Sequence, residues 1–501
     1  MIKKGLIFVL FSFCCLLSTV GAQTLRVTLE SIPQARGWSM STSGGELVYS
    51  QWVFDSLVQR GEQQKIEPRL AIKWEQVSPT TLRFHLRKDV VFHSGNAFTA
   101  KDVAWTLEKL KESASRGQGF DSLQAKVLDD HTIELSSNTE SGLLLNLAAY
   151  LYPADRRFYE KAQAAEKSQE ALLESGTGKY QVTQRQDEKK VVMEVFSEHW
   201  DQKVKGNVQK IIITSIAQGD LRVEALLAGK TDLISSIPLK EHKRLRRSRR
   251  VKLFSADSNQ VVSLQINQTR NESLRDLRVR LAIAFAIRNH GLVKQVLVGA
   301  AKAATQYPPK GSIDYNPKLR SRYSLKRASR YLKQAGLDQG FALDMIAADD
   351  NQEIAQKIVT MLGKVKIKVN LKIIPRQSYL EQFLLKQADL QMISWAPQAE
   401  NAADYYQAML LTPNADKQLG KYNSGNYSNP ILDAVVLASS SEVDPLRRIK
   451  LLQAAAKIAY DDVAFVPLYW KKDSWAAKRT LKLSPLMNQQ NLPVLSKLVL
   501  K

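Results

Sequence analysis

Cysteine is nearly missing from this 501-residue chain: the two present, Cys14 and Cys15, both fall within the first 22 residues. Downstream, disulfides, thiolate nucleophiles and Cys-based metal sites are therefore excluded together. Histidine is scarce as well. The six, His85, His93, His131, His199, His242 and His290, are scattered without metal-ligand spacing, so no metal site and no cofactor are expected. Catalytic signatures are also lacking: the chain holds no G-x-S-x-G, no H-E-x-x-H and no Walker sequence. An enzyme is not expected on these grounds. An unrecognised hydrolase built on carboxylates brought together in space remains the competing class, since sequence spacing does not exclude it.

Acidic residues are in deficit, 49 against 72 Lys and Arg, for a net charge of +23. Lys3 and Lys4 contribute two of these charges, leaving +21 on the rest. Such an excess favours anionic partners. Its densest run is Lys240 to Lys252, KEHKRLRRSRRVK, and it has no interleaved aromatic residues to stack bases. A solvated helix face is expected there, and no nucleic-acid partner. An exported basic protein that binds anionic envelope polymers or lipid is the alternative that the charge keeps open.

Long apolar runs are confined to the start. Lys3 and Lys4, the run Leu6 to Leu17 and the small-residue end Val20-Gly21-Ala22 form a secretory signal peptide over 1–22, with cleavage expected before Gln23. The run is short for a bilayer span, and neither cysteine follows the small residues of a lipoprotein cleavage site. No transmembrane segment is expected, and the mature protein should be exported and soluble.

The length calls for two or three domains, and strands alternate with helices along the chain. Thr81 to Leu86 alternates like a half-buried strand. Ser94-Gly95-Asn96 turns the chain, and Thr99 with Asp102 caps a helix carrying Val103, Leu107 and Leu110. Glu174 to Tyr180 (ESGTGKY) is a Gly-rich loop followed by strand patterns, so it lacks the helix a phosphate cradle needs. Val261 to Asn267 is a buried-strand candidate and Leu277 to Ile287 the most apolar helix. A βαβ rhythm runs from Phe341 to Ile374, and Leu390 to Trp395 is a further buried strand before the loop Ala396 to Asp404.

Several of these segments, in order, resemble the periplasmic solute-binding proteins of family 5, the peptide-, dipeptide- and nickel-binding class that feeds ABC importers. The resemblance rests on LRK followed by F-H-S-G and FTAKDVAWTL between Leu86 and Leu107, and on Glu174 to Tyr180. It continues through Glu198-His199-Trp200, Leu274 to Ile287 with Asp276, Arg278 and Arg280, Tyr323 to Gly336, Tyr427 to Asp433, and Pro467-Leu468-Tyr469. It implies an α/β, two-lobed, type II-like (cluster C) binding protein with an extra domain and a hinged ligand cleft. Lobe I would comprise 24–50, 179–268 and 476–501, domain II 51–178, and lobe II 269–475. Val261 to Asn267 and Ser474 to Ala477 would be the crossings between lobes. The resemblance further implies a monomer in the periplasm of a Gram-negative cell, with a small-molecule or peptide ligand and an inner-membrane ABC permease as partners.

Ligand residues follow from the same resemblance. The family pattern W-x-x-D-x-x-D-P places an acid for the ligand's α-ammonium after the strand ending at Trp395. Here the segment reads Trp395-Ala396-Pro397-Gln398-Ala399-Glu400, with neutral Gln398 at that position and Glu400 able to substitute if the loop shifts by two. Gly44, Gly45 and Glu46 correspond to the first cleft loop, where backbone N–H groups approach a ligand. Asn259 and Gln260, ahead of the crossing strand, are candidate hydrogen-bonding groups. Trp395, Tyr405 and Tyr406 are candidate walls or core, and Arg376 is a candidate partner for a ligand carboxylate.

Overall fold

The computed structural model describes residues 23–32, 44–60, 66–112, 120, 123–137, 144–164, 173–202, 206–395, 402–416, 419–442, 444–481 and 500. The signal peptide expected over 1–22 lies outside them. Among the described residues no helix is long and apolar enough to cross a membrane.

The strands are β1 (Gln23–Leu29), β2 (Val58–Arg60), β3 (Ile66–Pro68), β4 (Ala71–Ser78), β5 (Thr81–Leu86), β6 (Leu123–Asp129) and β7 (Thr132–Ser137). They continue as β8 (Tyr180–Gln186), β9 (Lys190–Val195), β10 (Val208–Ser215), β11 (Leu233–Ser235), β12 (Val251–Ile266) and β13 (Ala301–Ala303). The last four are β14 (Phe341–Ala348), β15 (Ile367–Ile374), β16 (Leu390–Trp395) and β17 (Phe465–Lys478). One large sheet runs in the order β15-β14-β16-β12-β17-β11-β1-β10-β9-β8, with β13 against β17. A separate antiparallel sheet has the order β4-β5-β7-β6.

The two long strands, β12 and β17, join the halves of the large sheet. They pair antiparallel from Val251↔Lys478 to Gln265↔Phe465, with the register broken between Asp257 and Val261. The expected strand Val261 to Asn267 is thus only the second half of β12. A register break bends a strand and re-aims its side chains, and the apolar packing divides at this point. Phe254 and Trp475 belong to a core shared with β1 and the small sheet, whereas Val261 and Trp470 pack with Tyr405, Tyr406 and Phe465. Each fully buried Leu, Ile or Phe contributes about 1.5–3 kcal/mol, so each half holds its own core.

The small sheet is clasped to the large one by polar groups. Thr99 donates from its N–H (2.8 Å) and its hydroxyl (2.9 Å) to Asp102, which caps the helix Ala100–Glu112 as expected. His93 Nε2 is 2.8 Å from the Gly178 carbonyl, while the Gly176 N–H donates to its Nδ1 at 3.3 Å. The imidazole therefore donates at one nitrogen and accepts at the other, as the neutral ring does. The glycines of ESGTGKY are required by close approach. A Cβ on Gly176 would stand 2.1 Å from the Val53 carbonyl oxygen, and one on Gly178 2.6 Å from that of Trp52. Beside them Asp55, buried, accepts from Arg69 Nε (2.8 Å), Trp200 Nε1 (2.9 Å) and Thr177 Oγ1 (3.1 Å).

The other half carries similar clasps. Asp276 accepts from the Arg278 N–H at 2.8 Å, capping the helix Leu277–Ala286. Buried Arg280 donates to the Asp462, Leu274 and Arg275 carbonyls at 3.0, 3.0 and 2.7 Å. Tyr427 and Asn429 each donate to Asp462 at 2.7 Å. The basic run folds as the helix Leu239–Arg247, which turns His242 and Leu245 inward and Lys243, Arg246 and Arg247 to solvent.

Candidate functional site

The registers bring two sets of strand ends to one line. In one half β14 runs parallel to β15 and β16, so all three end on the same side, at Ala348, Ile374 and Trp395. In the other half β1 runs parallel to β10 and β11, ending at Leu29, Ser215 and Ser235. Trp395 pairs with Val261, just past the register break, and Ser235 pairs with Trp475. Both carboxyl edges therefore face the short length of β12 and β17 around Ser258–Gln260 and Lys471–Ser474. Ligands of parallel α/β sheets bind in such a crevice, outside the carboxyl ends of the strands.

Charged groups from four elements converge on it. Lys471 and Asp473 lie on one face of β17, two residues apart. Lys471 keeps part of its side chain open to solvent. Burial pulls its ammonium below the ordinary value; Asp350, Asp473 and Glu30 raise it, and Arg376 lowers it. Burial pushes the Asp473 carboxyl up to about 6, opposed by a hydrogen bond from Ser258 and by Lys471. Arg376 Nη1 is 3.8 Å from Asp350, and both side chains are exposed. Tyr469, on the same face of β17, donates to Asn351 at 3.1 Å. Ser258 Oγ accepts from the Gln260 N–H at 3.1 Å, which holds the register break in shape. The arrangement brings together two cations, two exposed acids and one acid that burial pushes up to about 6.

The residues expected from sequence distribute unevenly. Arg376 is at the crevice, where it opens the helix Arg376–Leu384. Gln260 is at the crevice too; it and Asn259 sit inside β12 and do not precede it. Gly44, Gly45 and Glu46, read as loop, form the first turn of the helix Gly44–Val53. The leading N–H groups of a helix lack intrahelical partners, so donors still point out there. Trp395 ends β16 half-buried, its ring 5.0 Å from that of Tyr422 and its indole N–H without an acceptor among the described residues. Tyr405 and Tyr406 are core. Both are wholly buried, and Tyr405 stacks on Tyr307 and packs against Phe465, which leaves it no face toward a ligand. Ala396, Gln398 and Glu400 lie outside the described residues. Buried Asp314 accepts at 2.7 Å from the N–H of Ala402, the first residue of the helix Ala402–Met409.

Sequence reasoning missed Glu30, Ser258, Asp350, Lys471 and Asp473. A signal existed: Lys471-Lys472-Asp473 interrupts an otherwise apolar strand from Phe465 to Ala477. Charges inside such a strand need a reason, and facing a crevice supplies one. Among the described residues no cluster of His, Cys, Asp and Glu could hold a metal ion.

Known proteins share this architecture. Residues 65–417 match the model of the bacterial extracellular solute-binding proteins, family 5. The chain is 24% identical over 439 residues to the probable ABC transporter periplasmic-binding protein SapA of Escherichia coli, covering 81% of this chain and 79% of that one. It is 23% identical over 496 residues to the dipeptide-binding protein of the same organism, covering 92% and 91%. The solved structure of the periplasmic binding protein DppA from Helicobacter pylori with the peptide STSA superposes with a TM-score of 0.78 at 22% identity, over 95% of this chain and 98% of that one. The fold is the two-lobed one of these binding proteins, and the family model spans most of the sequence. The chain belongs to the bacterial extracellular solute-binding proteins, family 5.

Proposed function

We propose that this solute-binding protein captures a small peptide or peptide-like acid in the crevice, through the ligand's anionic end, and delivers it to an inner-membrane ABC permease. The observation that carries the reading is the pair of cations, Lys471 and Arg376, facing the space between the carboxyl edges of both half-sheets. Lys471 is partly desolvated, where a carboxylate gains more from a charge-assisted hydrogen bond than it would in bulk water. Neutral Gln398, where the family pattern has an acid, fits a ligand held by its acidic end more than by an ammonium. The relatives named for dipeptide and peptide binding support the same class.

In this reading lobe I comprises 24–50, 179–257 and 475–501, domain II 51–178 and lobe II 261–470, the expected boundaries at 268 and 475 moving to where the apolar packing divides. The division of apolar packing favours a hinge at 258–260 and 471–474, at the register break. Closure is driven by the ligand's preference for the closed state. The ligand is returned unchanged, with no turnover, and the protein works in the periplasm of a Gram-negative cell after removal of 1–22.

Native mass spectrometry of protein purified from its own periplasm gives the mass of a co-purified ligand. Thermal shift with tri- and tetrapeptides then tests the binding end: free-carboxylate peptides raise Tm, C-terminally amidated ones do not, and Lys471→Met abolishes the shift. Equal stabilisation by amidated peptides, or hydrolysis of the peptide, overturns the reading.

A further inference from the structure

A second concave site lies in the other direction along β17. Pro467, its nearest strand residue, is four positions from Lys471, roughly 13 Å at about 3.3 Å per residue. A narrow, mainly apolar pocket is lined by Ala284, Ala304, Ala456, Ala459, Val463 and Val466, with Asn289, Thr305 and Gln306 also on its wall. Its mouth, at Arg320, Ser321, Arg322 and Tyr460, is shared with a shallower groove floored by Phe285, Tyr323 and Tyr331 and flanked by Arg327.

The rim is strongly cationic. From Lys318 to Lys333 the chain carries Lys318, Arg320, Arg322, Lys326, Arg327, Arg330 and Lys333, and no acid. Arg322 is the informative member. Its side chain is 15% exposed, its guanidinium carbon lies 3.6 Å from the Tyr460 ring centroid, and Nη2 is 3.9 Å from Asp461. Asp461 is itself half exposed and also held by Lys457. A guanidinium has five N–H donors in a fixed fork. One distant, shared carboxylate takes up little of that capacity, and Arg322 lines the mouth of the apolar pocket and the groove beside it. Arg327 stands 5.5 Å over the Phe285 ring and Arg288 5.5 Å over Tyr323, so the aromatic floor holds its cations in place.

We propose that this pocket binds a single-chain amphiphile with an anionic head, taken from solution. The carboxylate or phosphate head engages Arg322, with Arg320 and Arg327 beside it, and the alkyl tail enters the alanine- and valine-lined pocket. Charge at the rim and apolar surface behind it match the two ends of such a molecule. Nothing in this proposal depends on what the crevice between the lobes binds.

Isothermal titration of the intact protein with dodecanoate, below its micelle concentration, tests it. One-to-one saturable binding is expected, with acetate and dodecyl maltoside each at least tenfold weaker, because one lacks the tail and the other the charge. Arg322→Gln should weaken dodecanoate at least tenfold, while Arg247→Gln on the distant basic helix leaves it unchanged. Arg327→Gln, an exposed change that does not threaten folding, should weaken it severalfold. Absence of saturable binding, equal binding of the maltoside, or indifference to both groove variants overturns the proposal. So does binding to phosphatidylglycerol vesicles through this groove without any competition from dodecanoate, which would make it a membrane contact.

Discussion

Asp55 is where the scaffold is most sharply testable. It is buried, and Arg69, Trp200, Thr177 and His199 all turn toward it, with His199 Nε2 3.7 Å away. Burial alone would raise its carboxyl; Arg69 first, then His199 and Trp200, overcome this and hold it well below the ordinary carboxylate range. Removing the acid strands Arg69, whose side chain is 24% exposed, and leaves the Trp200 N–H without its acceptor. Breaking a buried ion pair costs about 3–5 kcal/mol, and the partial exposure of Arg69 places Asp55→Ala near the lower end, about 3 kcal/mol. Asp55→Asn keeps an acceptor for Trp200 and Thr177 and should cost about 2 kcal/mol. Asp55→Leu with Arg69→Met removes the orphaned charge and should recover part of the loss. Urea unfolding followed by tryptophan fluorescence reads these as midpoint shifts at constant slope. The sign with pH follows. A folded pKa below the unfolded one means stability is fully present above the ordinary carboxylate range and drains as pH falls through it, and Asp55→Ala should flatten that limb. If Asp55→Ala unfolds within 0.5 kcal/mol of the parent, the account of this cluster as a clasp is wrong.

Other outcomes follow from the same contacts. Gly176→Ala drives a Cβ into the Val53 carbonyl and the Phe54 ring and should cost about 2–3 kcal/mol. Gly95→Ala, at φ +85° with open space around it, should cost only about 1 kcal/mol; a reversed order in denaturant midpoints would contradict the close-approach argument. His93, pushed down to about 4 by burial despite its bond to the Gly178 carbonyl, stays neutral in the folded state. Between about 6.5 and 4 the unfolded chain takes up a proton that the folded one refuses, so stability falls as pH falls, by at most about 3 kcal/mol before solvent screening is allowed for. His93→Gln should remove that slope in a pH series of melting curves. Arg280→Met leaves three carbonyls without donors and should lower the midpoint by about 2–3 kcal/mol without altering binding in the crevice, as a ligand thermal shift would read.

The segments through which the family was legible are the ones whose chemistry is fixed by packing. His93 and the glycines of ESGTGKY are one contact seen from two places in the sequence. His199-Trp200 closes on Asp55, Arg280 threads three carbonyls, and Asn429 joins Tyr427 on Asp462. Each needs one residue type at one spacing, so each leaves a readable trace. Only the second half of β12 was legible, as Val261 to Asn267, because a register break interrupts the periodicity: Val251 to Asp257 joins it only where β17 pairs with both. Tyr405 illustrates the converse. An aromatic beside an apolar strand has the same pattern whether it walls a pocket or fills a core, and only its burial against Tyr307 and Phe465 decides.

The crevice was hard to read for a related physical reason. Its position depends only on where parallel strands end, and that geometry constrains the backbone while leaving the side chains at those ends free to vary with the ligand. Glu30, Asp350 and Arg376 follow three different strands, and Lys471 and Asp473 come from a fourth element; no spacing in sequence links them. What does link them is electrostatic. A lysine and an aspartate two residues apart on a connecting strand are tolerated there only because the space they face is open to water or filled by a ligand with complementary charge. In the proposed reading, closing the lobes removes the first option. In that reading the desolvation that pulls Lys471 down deepens on closure unless an anion arrives, so Lys471 opposes closure of the empty cleft and favours closure around an acidic solute, while Asp473, pushed up by burial, accommodates that anion only by taking up a proton.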